Sequence, residues 1–394
     1  MGKLLKPEFL QAASNVGGGG SKVVLRFSQD VTETLAFGED SDLKVTATKN
    51  GVTTTTEYHG VDMVVVDADA NTDIVVTGDF KGAWYGAVTY EDMPYCTYCS
   101  VDCTGLQLLA VAFLYTDVQL THTEDLLAAQ LATGSSTLDT SKLTNLVDFL
   151  LSGENLTALD VSPLASLESL GLSGCGVTSL DISHNTALTR IEIESCDSLE
   201  SLTVGTLPNL TTLWIEDCAA CAVPDTSGCP QLAQYYFRNS GAPVTIDTGG
   251  LTALEDVDFQ DNPTLASVDF STNTALKSVG IDSSSVVTLD LSHNPDITHV
   301  YVVNCAALET LDLSACTQLS WIGWYGVDSD SNPYPVLPAI KVMKIAHIDG
   351  SSCVINILYN TPVTDGTIYL DPNDPLYNNV KTVAENKGWN VESL

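Results

Sequence analysis

Of 394 residues, 50 are acidic and only 15 basic, a formal charge of -35, so the surface field repels nucleic acid and anionic lipid and favours cations or basic partners. The longest apolar run, 106–115, is too short to cross a bilayer. Gly-x-Ser-x-Gly, His-Glu-x-x-His and phosphate-loop signatures are missing, which argues against the common catalytic classes and for a protein that is not an enzyme.

The first ten residues, MGKLLKPEFL, have neither the apolar core nor the cleavage site of a secretory signal. The run from Gly17 to Ser21 reads as flexible linker. Residues 1–21 are therefore expected to be a leader or tether, native or added upstream. From 22 to 73 the pattern changes to β alternation, at 23–27, 43–48, 53–58 and 63–66, with Asn50-Gly51 as a tight-hairpin signal. This segment is expected to form a small β-sheet domain that caps whatever follows. Near its end Asp67, Asp69, Asn71 and Asp73 place oxygen ligands at alternate positions, like the start of a calcium loop. Position six is Thr72 rather than glycine and position twelve is Gly78 rather than glutamate. A solvated turn is the expectation, calcium the alternative, and no other cofactor is implied.

Residues 156–177, LTALDVSPLASLESLGLSGCGV, hold two half-repeats. Each has apolar residues at positions one, four and six: Leu156, Leu159 and Val161, then Leu167, Leu170 and Leu172, the second half continuing to Cys175 and Val177. Position four of the second half recurs as Phe149, Leu170, Ile191, Leu213, Tyr235, Val257, Val279, Val300, Ile322 and Met343, at spacings of 21 or 22. That of the first half recurs as Leu138, Leu159, Leu180, Leu202, Val223, Ile246, Val268, Leu289 and Leu311. A parallel α/β sheet would need crossover helices of about a dozen residues, and only about five remain between half-repeats. The pattern predicts a leucine-rich repeat solenoid over 74–371, mainly β, with one curved parallel sheet, since no coil buries its apolar face alone. Its register is least defined over 74–137, and it is expected to run on through Val354, Ile355 and Ile357. Residues 372–394 are expected to cap it, with a helix over 375–387 that Asp374 caps and Gly388 stops, and with Trp389 and Val391 folded back.

The units LTALDVSPLASL, VTSLDISHNTAL, VVTLDLSHNPDI and LETLDLSACTQL resemble the leucine-rich repeats of Bacteroidetes surface proteins, as do Ile-Val-Val-Thr-Gly-Asp at 74–79 and Ala-Glu-Asn-Lys-Gly-Trp-Asn-Val at 384–391. The resemblance implies an exported, extracellular or outer-surface interaction protein whose export signal has been removed, with room for a lipid or surface tether upstream of residue 1. It says little about the ligand.

Cys175, Cys196, Cys218 and Cys305 fall at position nine of the second half, the slot that Asn262 fills in another coil. They are expected to be buried thiols bonded to backbone that leaves the strand. Any disulfide is expected among Cys218, Cys221 and Cys229, because an irregular loop lets two of them converge. The Cys96, Cys99, Cys103 cluster lacks a fourth zinc ligand at useful spacing. His184 and His293 share a slot five coils apart, roughly 24 Å at ~4.8 Å per strand, so they cannot share a metal.

The first half repeats Asp-x-Ser so faithfully, at Asp160, Asp181, Asp269, Asp290 and Asp312, that it reads as a turn device. The second half varies at its outward positions, which places recognition on its strands, expected to form the concave sheet. The candidate ligand-binding residues are Arg190, Glu192, Trp214, Glu216, Tyr236, Arg238, Asp256, Asp258, Asp282, Tyr301, Trp321 and Tyr325. Rigid aromatics among charges suit a recognition surface. A protein partner with a basic patch is the leading expectation, a glycan that stacks on the same aromatics the alternative, and a structural spacer the third reading.

Overall fold

A computed structural model of the chain describes residues 21–27, 30–79, 83–86, 96–104, 108–112, 118–124, 126–323, 337–347 and 353–394. Residues 1–20, half of 106–115 and Tyr325 lie outside them. Two compact units divide the chain, 1–188 and 189–394.

The first unit opens with antiparallel strands. β1 (Ser21–Phe27) pairs with β4 (Asp73–Asp79), while β2 (Val31–Lys49) and β3 (Val52–Ala68) form a long hairpin. Its turn is Asn50-Gly51, both with positive φ, 52° and 71°, the geometry in which a two-residue loop matches strand twist. The strands expected at 53–58 and 63–66 are one continuous β3, and that expected at 43–48 is part of the longer β2, with register shifts between Ala36 and Leu43. β4 also pairs with β2, so the antiparallel sheet runs on to Asp79.

Parallel pairing follows. β5 (Ala83–Gly86) pairs with β7 (Leu108–Ala112), and β6 (Cys96–Asp102) with β8 (Val118–Thr121). Beyond them β7, β9 (Ala128–Ala132), β10 (Asp148–Ser152) and β11 (Ser169–Ser173) continue in register, with Leu109, Ala129, Phe149 and Leu170 aligned. A short β12 (Ser179–Asp181) carries Leu180. The blurred stretch of sequence thus keeps the repeat. Its anchors are small or displaced, which hides them from an apolar pattern.

The calcium-like motif spends its oxygens separately. Asp69 accepts from the N–H groups of Asn50 and Gly51, 2.8 Å each, Asp73 pairs with Arg26 at 2.6 Å, and Asp67 accepts from the Thr32 hydroxyl.

In the second unit the second-half strands are β13 (Arg190–Glu194), β15 (Thr212–Glu216), β16 (Gln234–Arg238), β18 (Asp256–Asp258), β20 (Ser278–Gly280), β22 (His299–Tyr301) and β24 (Trp321–Gly323). All pair in parallel with Ile191, Leu213, Tyr235, Val257, Val279, Val300 and Ile322 in register. The first-half strands are β14 (Ser201–Thr203), β17 (Thr245–Ile246), β19 (Ser267–Val268), β21 (Thr288–Asp290) and β23 (Thr310–Leu313). Among the described residues no helix falls between Phe149 and Met343. The aligned anchors are buried, and each fully buried Leu or Ile contributes about 1.5–3 kcal/mol of transfer free energy. Both units are mainly β, and beyond the antiparallel strands that open the first they are parallel-sheet solenoid coils of the leucine-rich repeat type.

One anchor is reassigned. Met343, in β25 (Val342–Ile345), stands opposite Leu311 rather than Ile322, so β25 joins the first-half column. Two ion pairs fix it there: Lys344 to Asp312 at 2.5 Å and Lys341 to Glu309 at 2.6 Å. The next stretch is not ladder either, since Val354 and Ile357 lie in helix α1 (Cys353–Asn360). β26 (Thr367–Leu370) and β27 (Asn390–Ser393) then extend the same column, with α2 (Tyr377–Lys387) between them. Gly388, at φ 90°, ends α2. Asp374 does not cap that helix; it accepts from Leu376 N–H at 2.8 Å and so makes the turn ahead of it. Trp389 is buried and its indole N–H donates to Val363 O, 3.0 Å.

Ser240 at position nine donates within its own coil, to Arg238 O, but most coils with Asn or Cys at position nine follow one rule in both halves. The side chain donates to the position-six carbonyl of the preceding coil: Cys175 to Leu151, Cys218 to Ile193, Asn262 to Phe237 and Cys305 to Ile281. In the first half Asn185, Asn273, Asn294 and Cys316 do the same and also reach the position-nine carbonyl. The Asp-x-Ser motif is a turn device, since each aspartate accepts from the serine N–H two residues on, at 2.9 to 3.0 Å.

Cys218, Cys221 and Cys229 are free and buried, so the expected bridge among them is not formed; the Cys221 N–H closes one turn on Cys218 O, and Cys229 ends another on Thr226 O. Burial pushes the Cys305 thiol up to about 11 and Cys316 to about 12. Thiolate, not thiol, is the nucleophile. Cys175, Cys196 and Cys305 are therefore expected to resist a thiol reagent in the native protein and to react fully in denaturant; rapid native labelling of these positions would contradict it.

Candidate recognition face of the second unit

Position five of the second half runs Glu192, Trp214, Tyr236, Asp258, Gly280, Tyr301, Gly323 along the register. Alternation along a strand turns this row away from the coil interior. Trp214 and Tyr236 are half-buried and meet edge to face, ring centroids 4.8 Å apart. Each is tied down: the Trp214 indole N–H donates to Glu216 at 2.9 Å, and the Tyr236 hydroxyl to Asp256 at 2.7 Å. Adjacent coils therefore make one aromatic patch, as the spacing predicts.

Arg238 carries the charge balance. It lies 3.4 Å from Glu216, and its Nε lies 3.2 Å from Asp258 without hydrogen-bond alignment. Burial pushes Asp258 up to about 6, against the pull of Arg238. Asp256 and Asp258 are thus relieved of mutual repulsion from inside, by one phenol and one arginine, and burial favours the protonated form of Asp258.

Several predicted residues move off the face. Asp282 is 1% exposed, and it accepts from the Val303 N–H. Burial, with Asp258 and Asp261 nearby, pushes it to about 7. It is a buried backbone acceptor, not a surface ligand. Tyr301 is only 8% exposed, stacked at 6.3 Å on His299 and flanked in register by Gly280 and Gly323, which offer no side chain to hold it upright. Trp321 packs against Gly323, where an added Cβ would stand 3.2 Å from its ring. Arg190 and Glu192 pair with each other on β13. Tyr325 lies outside the described residues.

What gathers is a hollow of about 150 Å³, lined by Trp214, Tyr236, Arg238, Asp256, Asp258 and Tyr301, with Val257, Gln260 and Ser278 completing it. The sequence pattern spreads the aromatics over an extended surface; it counts Gln260 among the outward positions but not Ser278 or Gly280. A glycine within a strand marks a place of close approach and was the available signal.

No family model matches the chain, and no curated protein matches it. A solved structure described as the functional domain of InlJ from Listeria monocytogenes, including a cysteine ladder, is similar over 68% of this chain and 73% of that one, at 20% identity and a TM-score of 0.32. The strand register and coil period, rather than this likeness, define the class: a leucine-rich-repeat-type solenoid. Among the described residues no helix is long and apolar enough to cross a membrane.

Proposed function

We propose that the protein is a non-catalytic recognition module, extracellular or at an outer cell surface, that binds a protein partner bearing a basic patch through the second-half strands of its second unit. The observation that carries the reading is the Trp214–Tyr236 pair, half-exposed and held by hydrogen bonds to Glu216 and Asp256, beside an Arg238 that pairs with Glu216 and Asp258. Rigid aromatics lose little entropy on binding, and acidic surroundings steer a basic partner. A glycan that stacks on the same rings is the second reading, favoured by the hollow beside them.

Trp214→Ala combined with Tyr236→Ala is expected to weaken binding at least tenfold, since interface aromatics often contribute ~2 kcal/mol or more each. The ring pair itself adds about 0.5–1.5 kcal/mol to stability, so a small drop in melting temperature is expected. The test is affinity capture of basic proteins at increasing salt, beside a glycan array. Salt-weakened capture that the double variant loses supports the reading. Normal capture by the double variant, or salt-insensitive binding to a glycan, overturns it.

A further inference from the structure

The hollow exists because β20 brings a glycine to position five, where β15, β16, β18 and β22 bring Trp214, Tyr236, Asp258 and Tyr301. A Cβ on Gly280 would stand 2.9 Å from Gln260 Nε2 and 3.3 Å from Asp258 Oδ1. Backbone therefore forms the floor, with an amide, carboxylates and rings around it. Gln260 is 4% exposed and lines the hollow, yet its Nε2 has no hydrogen-bond partner. Asp282, at the same position one coil on, is 1% exposed with Oδ2 equally unpartnered. Buried polar atoms are nearly always paired, so each needs a reason.

We propose that this hollow seats one cationic side chain of the partner, an ammonium or guanidinium, between the Trp214, Tyr236 and Tyr301 rings and the Asp256 and Asp258 carboxylates. The inference rests on the reading that this face binds a basic protein. Glu216 and Asp258 share the cation of Arg238, Asp256 accepts from the Tyr236 hydroxyl, and burial already raises Asp258 and Asp282 toward protonation. A second cation supplies the charge that the face lacks, and aromatic faces attract it further. No hydrogen bond fixes Gln260 Nε2, so the amide can turn its Oε1 toward the incoming donor. A neutral sugar would satisfy the amide but leave the carboxylates short of positive charge.

The full chain would be titrated with the peptide acetyl-Gly-Gly-Lys-Gly-Gly-amide and with its norleucine counterpart, following the indole N–H resonance of Trp214. The lysine peptide is expected to shift that resonance and to release protons at pH 7, because a bound cation lowers the carboxylate pKa values; the norleucine peptide is expected to do neither. Gly280→Val, whose side chain suits a strand and fills the hollow, should cut peptide affinity at least tenfold with an unchanged circular dichroism spectrum. Should that variant fail to fold, Gln260→Leu is expected to give the same loss. Equal binding of norleucine, a shift by neutral monosaccharides alone, or no shift at all, as for a bridging water only, overturns the seat. Partner capture that survives Gly280→Val but not the Trp214 and Tyr236 double variant sinks the seat and leaves the face; capture that survives both sinks the face.

Discussion

Asn273→Ala is expected to destabilise the second unit by about 2–4 kcal/mol, the loss of three buried hydrogen bonds at about 0.5–1.5 kcal/mol each. Asn273 is 0% exposed. Its amide donates to Thr248 O and Leu251 O, both 2.9 Å, and its Oδ1 accepts from the Thr248 hydroxyl at 2.9 Å. Alanine removes all three bonds in a place water does not reach and leaves the two carbonyls only their backbone donors, the N–H groups of Leu251 and Leu254. Asn273→Cys should cost less than half as much, because Cys316 fills the same slot and donates to Leu291 O and Asn294 O. Denaturant titration followed by tryptophan fluorescence reads this unit, since Trp214, Trp321, Trp324 and Trp389 are four of the chain's five tryptophans. Equal losses for alanine and cysteine would show that the slot is held by packing and not by its hydrogen bonds.

The second large effect is a stability that falls as pH rises from 5 to 8. Asp282 is pushed from the ordinary 3.8 to about 7, chiefly by burial and next, in opposition, by the Val303 N–H. The folded chain thus holds a proton there that the unfolded chain has released. Stability from this group is fully present below 3.8 and is lost as pH rises through 7. Each tenfold difference in proton affinity between the folded and unfolded chain is worth about 1.4 kcal/mol, so the loss between pH 5 and 8 is on the order of 3 kcal/mol. Asp258, raised to about 6, adds in the same direction. Asp282→Asn keeps an oxygen for the Val303 N–H and removes the charge. Its melting temperature should exceed the wild type's at pH 8 and depend less on pH between 5 and 8; an unchanged slope would assign the pH dependence elsewhere. Below pH 4 the opposite set acts. Asp160, Asp181, Asp225 and Asp269, lowered by the serine two residues on, lose their contribution as pH falls through their folded-state values.

Two features were legible in the sequence because they are periodic or local. Apolar residues at positions one, four and six have to align coil upon coil to be buried, so the register from Ile191 to Ile322 follows from spacing alone. Asp-x-Ser closes its own turn within three residues, and position nine faces inward wherever the template holds, which predicts the buried thiols.

Tertiary structure decided the rest, where two sites in the chain satisfy the same template or where a neighbour overrides it. Met343 lies 21 residues after Ile322 and fits the second column by spacing. Its pairing with Leu311 comes with backbone bonds from Lys341 and Val342 to Glu309 O and with Lys341 and Lys344 meeting Glu309 and Asp312, a cross-strand match that no period encodes. Asp282 occupies an outward position by pattern but turns in, because the Val303 N–H in the next coil needs an acceptor. The hollow was illegible for the same reason. It depends on a missing side chain at Gly280 and on Tyr301 lying down between two glycines, and only the packed coils bring those absences together with Trp214, Tyr236 and Asp258.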